Sequence, residues 1–144
     1  MRILAVDYGD ARTGLAVSDN SEILASPVCT ITEYNAEKLA AKVAAAAKEQ
    51  GAGEIIVGLP LNMDGSRGSR AEKCEGFAEM LRGLVDVEVR MWDERSTTVT
   101  AYRYLDNTNV YGKKRKAVVD TVAATIILES YLSYRSKQKQ KSEE

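Results

Sequence analysis

Histidine is absent from all 144 residues. That excludes an imidazole base, a histidine nucleophile and a histidine-ligated zinc. Cysteine is scarce: Cys29 and Cys74 stand alone, with no Cys-x-x-Cys spacing. Two isolated thiols read as reduced residues of a cytosolic fold, not as a disulfide or a metal site. Charge of one sign is lacking too. The formal net charge is −1, so any contact with a polyanion must come from local patches. No apolar run is long enough to span a membrane, and Asp7 interrupts the first one too early for a signal peptide. The expected location is cytoplasmic.

What is present is a set of acids in costly places. Asp7 closes the apolar run Ile3 to Val6. A carboxylate there is expensive unless something pairs with it. Its plainer role is a turn residue capping the next backbone groups. Asp93 and Glu94 end another apolar run; period-2 alternation puts Asp93 with Val87, Val89 and Met91, and Glu94 on the other face. Periodicity leaves open which of the two faces a site. Asp120 shares a helical stripe with Ala117, Ala124, Ile127 and Tyr131. Its plainer role is an early-turn acid favoured by the helix dipole. Without any imidazole, three such acids point to Mg²⁺ or Mn²⁺, which take oxygen ligands. Two such ions can activate water and stabilise the leaving oxygen of a phosphodiester.

The pattern predicts a strand over 2–8, a second over 13–19 and a third over 23–32, antiparallel to the second. Asn35 caps an alanine-rich helix to Gln50, ended by Gly51 and Gly53. A strand over 54–59 is apolar on both faces. Ser69 and Glu72 have capping-box spacing for a helix from about Arg70 to Leu84. A fifth strand covers 85–92 and a helix about 97–105. A last helix enters from Lys113 to Arg115 and ends near Tyr134. The order βββ-α-β-α-β-α-α suggests an α/β fold with a mixed sheet whose parallel part is covered on both faces. Residues 1–135 form one domain, and the polar stretch 136–144 reads as a disordered tail.

The basic residues are local. Lys113, Lys114, Arg115 and Lys116 lead into the Asp120 helix, where cations oppose the dipole, and this mismatch suggests a phosphate partner. Arg12 lies one turn beyond Asp7 and could grip phosphate bidentately or pair with Asp7 or Asp10. Arg67 and Arg70 flank a loop that leads into a helix N-terminus. Trp92, Tyr104 and Tyr111 could stack on bases, although packing is their commoner role.

Four motifs occur in order. Asp7-Tyr8-Gly9-Asp10-Ala11-Arg12-Thr13-Gly14 resembles the D-x-G-x-x-R-x-G opening of the YqgF family, the bacterial Holliday-junction-resolvase-like proteins of the RNase H-like superfamily. Gly58 to Gly68 resembles its second motif, Asp93 to Thr98 its third, and Lys114 to Ala124 its fourth. The resemblance covers about residues 3 to 132. It implies an RNase H-like fold and a metal-dependent nuclease maturing the 5′ end of pre-16S ribosomal RNA. It also implies that Asp7, Glu94 and Asp120 hold the metal; the preference for Glu94 over Asp93 comes from the family alone. Branched DNA is the rival substrate, cut by a symmetric dimer, where the RNA reading allows a monomer or homodimer. A non-catalytic nucleic-acid-binding module is a third reading. An actin-like ATP-binding fold, which Asp7-x-Gly9 also suggests, is a fourth. That fold normally needs two such domains, and this chain is long enough for one.

Overall fold

A computed structural model describes residues 1–94 and 112–143; of residues 112–119 and 142–143 it describes the helical backbone. The helix expected over 97–105, with Tyr104 and Tyr111, lies outside the described residues. The elements are β1 (Arg2–Asp7), β2 (Arg12–Ser18), β3 (Ala25–Thr32), α1 (Ala36–Glu49), β4 (Ala52–Leu59), α2 (Ser69–Arg82), β5 (Glu88–Asp93) and α3 (Gly112–Glu143).

The strands form one mixed sheet in the order β3-β2-β1-β4-β5. The β1–β2 and β2–β3 pairs are antiparallel, whereas β1–β4 and β4–β5 are parallel. Strand alternation then sorts the side chains between two cores. Leu4 and Val6 join Leu15, Ile55 and Val57 beneath α1 and α2, against Leu39, Val43, Phe77 and Leu81. Ile3 and Ala5 point the other way, to Ile56 and to Ala124, Ile127, Leu128 and Tyr131 of α3. The central strands are buried on both faces, as their unbroken apolar runs require.

Asn35 caps α1: its side chain accepts from the Lys38 N–H at 2.9 Å. Beyond the helix, Gly51 takes φ +67°, a conformation that favours glycine. The expected capping box of α2 does not form. Gly68 is the N-cap, Ser69 is already helical, and the Glu72 N–H bonds the Gly68 carbonyl at 3.2 Å. The preceding loop closes on itself instead. The Asn62 amide side chain donates to Ser66 Oγ at 3.0 Å, and the Asn62 N–H bonds the Ser66 carbonyl at 3.0 Å. β5 begins at Glu88, three residues later than expected, although Val85 and Val87 still pack against the first core.

The largest departure lies at the far end of α3. The helix runs on to Glu143, past the end expected near Tyr134 and through the stretch read as a disordered tail. Arg135 and Lys139, one turn apart, both bond Glu22 in the β2–β3 connection, Lys139 at 3.3 Å. These partners hold the Glu22 carboxyl down at about 2, against the opposing effect of its own burial. Local composition carries no sign of a partner more than a hundred residues away. Beside this cluster the buried Glu54 accepts the Tyr131 hydroxyl. A buried carboxylate that loses such a donor loses part of what offsets its desolvation, and Glu54 would keep the longer pairing with Arg135 at 3.7 Å. Tyr131→Phe should therefore lower unfolding stability by roughly 1–3 kcal/mol, read by urea denaturation, with the fold otherwise intact.

Candidate active site

Asp7 ends β1 in the same parity as Ile3 and Ala5, so alternation turns it toward α3. Its partner across the β1–β2 ladder is Gly14. A Cβ at Gly14 would stand 2.0 Å from the Asp120 carbonyl oxygen and 2.4 Å from its carbon. Here a glycine lets helix backbone touch strand backbone, and that contact seats Asp120 beside the strand end carrying Asp7. The last glycine of the opening motif thus has a steric reason.

Glu94 follows β5 and shares the parity of Trp92, which packs against the α3 core. Its N–H bonds the Leu59 carbonyl at 3.2 Å, extending the β4–β5 ladder by one step. Gly58, in the parity of Ile56, again leaves the space: a Cβ there would meet Glu94 Oε2 at 2.2 Å and Ile127 Cδ1 at 2.8 Å. Glu94 therefore lies on the α3 face. Asp93 has the parity of Met91 and Val89, which belong to the opposite core. The structure thus brings Asp7, Glu94 and Asp120 to one face of the sheet, at the carboxyl ends of the parallel strands β1 and β5. Ligands of such sheets gather at that end.

The electrostatics record this gathering. Burial, then the charges of Glu94 and Asp120, push the Asp7 carboxyl up to about 7, with Arg70 opposing. Burial also raises Glu94, against Arg70, with Asp93 adding to the rise. Burial raises Asp120, against Arg12. Asp120 Oδ2 is buried and makes no hydrogen bond; Arg12 Nε stands 3.2 Å away as an ion pair whose geometry falls short of one. Among the described residues no three acids close on a single point. The structure shows donors gathered, not a coordination sphere.

Of the basic residues singled out from sequence, Arg12 and Arg70 reach this end of the sheet. Arg12 pairs with Asp120, not with Asp7 or Asp10. Arg70 donates to the Tyr8 carbonyl, lies 5.4 Å from the centre of the Tyr8 ring and pairs with Asp10 at 3.3 Å. Arg67 is drawn to α2 instead, where its Nε meets Glu75 Oε1 at 3.1 Å. Lys113, Lys114, Arg115 and Lys116 lie in the first turns of α3, leading to Asp120. Trp92 is half-buried, edge-on to Tyr131 and bonded to Ser130 Oγ at 3.2 Å, so packing is its observed role. Sequence reasoning missed the seats at Gly14 and Gly58. It also missed Lys73, which joins Arg70 on Asp10 at 3.7 Å and sits three residues further along the same helix. The signal for Lys73 was that helical spacing.

Two outcomes follow from this geometry. Gly14→Ala should cost roughly 1–3 kcal/mol of stability through overpacking and displace Asp120, a change visible as altered NMR shifts across β2 and α3. The second concerns pH. The folded carboxyl of Asp7 titrates near 7, above its unfolded value, so the folded state holds the extra proton between about pH 4 and 7. Stability from this group is present at low pH and is lost as pH rises through that window. In EDTA at pH 8, Asp7→Asn should melt several degrees above wild type, and the gap should narrow toward pH 4.

Comparison with known proteins bears on family and fold. A protein of Halothermothrix orenii named "Putative pre-16S rRNA nuclease" is 44% identical over 137 residues, covering 95% of this chain and 98% of its own. One of the same name from Chloroflexus aurantiacus is 40% identical over 142 residues, covering 99% and 93%. Among solved structures, RuvC of T. thermophilus in complex with a Holliday junction substrate matches with TM-score 0.61 at 10% identity, over 95% of this chain and 96% of that one. The fowlpox virus Holliday junction resolvase matches with TM-score 0.57 at 16% identity, over 93% and 99%. At such identities the structures show a shared fold, the RNase H-like α/β fold of the resolvases. The family model described as "RuvX: Holliday junction resolvase" matches residues 1–134, and the chain belongs to this RuvX/YqgF family of Holliday-junction-resolvase-like nucleases, enzymes that hydrolyse phosphodiester bonds.

Proposed function

We propose that this chain matures the 5′ end of precursor 16S ribosomal RNA in the cytoplasm, as one nuclease domain over residues 1–135. In this reading Asp7, Glu94 and Asp120 hold Mg²⁺ or Mn²⁺. The observation that carries it is the meeting of these carboxylates on the α3 face, with Asp7 pushed up to about 7 by burial and by the other two. A desolvated carboxylate that also feels two others calls for a cation. The donor set is all oxygen, which suits both metals. Asp120 Oδ2, buried and without a hydrogen bond, is the kind of atom an ion would satisfy. The bound metal would supply charge neutralisation at the phosphate and a more acidic water.

The chain's own residues do the rest. Gly14 and Gly58 fix where Asp120 and Glu94 stand. Arg70, tied to Asp10 and to the Tyr8 carbonyl, opposes the negative charge of Asp7 and Glu94. Arg12, Arg67, Arg70 and the run Lys113, Lys114, Arg115 and Lys116 would bind the phosphate backbone. Such contacts make affinity fall steeply with salt. No helix among the described residues is long and apolar enough to cross a membrane. The ribosomal RNA substrate is supported by the names of the relatives at 40–44% identity. Branched DNA is the second reading, supported by the family's resolvase description. That substrate is typically cut by a symmetric dimer, whereas the RNA reading fits a monomer or a homodimer.

The test is cleavage of labelled precursor 16S RNA and of a four-way DNA junction, each with Mg²⁺, Mn²⁺ or EDTA. Wild type should cut the RNA with either metal and not with EDTA. Asp7→Asn should lose at least about 10²-fold in rate, the scale of removing one charge-stabilising group. Junction cleavage without RNA cleavage would transfer the assignment to DNA. Unchanged turnover in Asp7→Asn would remove the proposed site.

A further inference from the structure

Arg12 and a metal ion would compete for one oxygen. Arg12 opens β2 and its backbone is held tightly. A Cβ at Gly9 would stand 2.0 Å from the Arg12 carbonyl oxygen, and Thr13 Oγ1 accepts the Gly9 N–H at 3.2 Å across the same turn. The side chain is freer, with 38% of its surface exposed, which leaves it room to turn into solvent. Its Nε lies 3.2 Å from Asp120 Oδ2, the buried oxygen that makes no hydrogen bond. The attraction is therefore that of charge, without the alignment that makes an arginine–carboxylate pair strong.

We infer that Arg12 is the resident counter-ion of the metal-free site, exchanged for the metal at Asp120 Oδ2 and then released toward substrate phosphate. The inference rests on the metal reading above and deepens it. A guanidinium and a divalent ion at one buried oxygen repel each other at short range. One of them must withdraw, and the half-exposed side chain is the one able to. Turned outward from the end of β2, a guanidinium offers the planar donor fork that fits phosphate. The exchange would couple two events. The grip on RNA strengthens when the metal is in place, and the metal-free site is spared an unbalanced cluster of acids.

The sign of one measurement decides it. An arginine that merely supports Asp120 would, on removal, let the carboxylate drift and weaken metal binding. A competing arginine would, on removal, strengthen it. The experiment is calorimetric titration of Mn²⁺ into metal-free wild type, Arg12→Gln, Arg12→Lys and Asp120→Asn at pH 8. Arg12→Gln should bind Mn²⁺ roughly two- to fivefold tighter than wild type, the upper part of the range for a part-exposed ion pair. Arg12→Lys, which keeps the charge, should lie between the two. Without metal, Arg12→Gln should also melt lower than wild type and show the larger rise in Tm on adding Mn²⁺. Equal or weaker binding by both Arg12 variants overturns the exchange and leaves Arg12 as a support. Absence of Mn²⁺ binding by wild type, or undiminished binding by Asp120→Asn, overturns the metal reading itself and this inference with it. The Arg12→Lys protein keeps the test decisive should the glutamine variant fold poorly.

Discussion

At Gly14 the backbone of a helix rests on the backbone of a strand, and the functional end of the molecule depends on that contact. The spacing leaves no room for even one methyl group. Because Gly14 pairs with Asp7 in the β1–β2 ladder, the contact relates a strand-end carboxylate to a helix carboxylate from two distant parts of the chain. Interiors are close-packed and transmit displacement, so the site inherits the stiffness of both elements. Gly58 does for Glu94 what Gly14 does for Asp120. Two glycines, on strands either side of β1, thus set the places of two of the three acids.

The stiffness has an electrostatic cost. Asp7 is half-buried, feels two other carboxylates and is driven up to about 7 by desolvation and by their charge. An isolated fold has no reason to place acids so. Proteins tolerate such strain where function requires it, and perturbed carboxylates of this kind cluster at functional sites. Arg70 and Arg12 soften the repulsion from opposite sides, one from α2 and one from β2.

Much of this was legible from the residues. The alternation of Ile3, Leu4, Ala5 and Val6 gave a doubly buried strand, and Asn35 gave a cap whose hydrogen bond is present. The stripe of Ala124, Ile127 and Tyr131 packs as one face of α3, with Asp120 along it. Asp93 and Glu94 could not be separated by periodicity, because alternation assigns opposite faces without saying which face holds the site. Telling which of the two shares a face with Asp7 and Asp120 required knowing that α3 covers Ile3, Ala5 and Ile56. Ser69 and Glu72 had capping-box spacing, but the loop before them spends its polar groups on itself, through Asn62, Asp64 and Ser66. The end of α3 was hidden for a different reason. Arg135 and Lys139 read as solvated tail charges until Glu22 is known to face them.

That far anchorage makes α3 a measuring rod. Its register is fixed near Arg135 by Glu22 and is used at Asp120, fifteen residues or about 22 Å away. Rotation and length are coupled in a helix, so one residue added or removed between these points would turn Asp120 by about 100°. No adjustment of side chains could restore it. The interval between an unremarkable surface cluster and the site is thus as constrained as the site itself, and length variation in this chain must fall elsewhere.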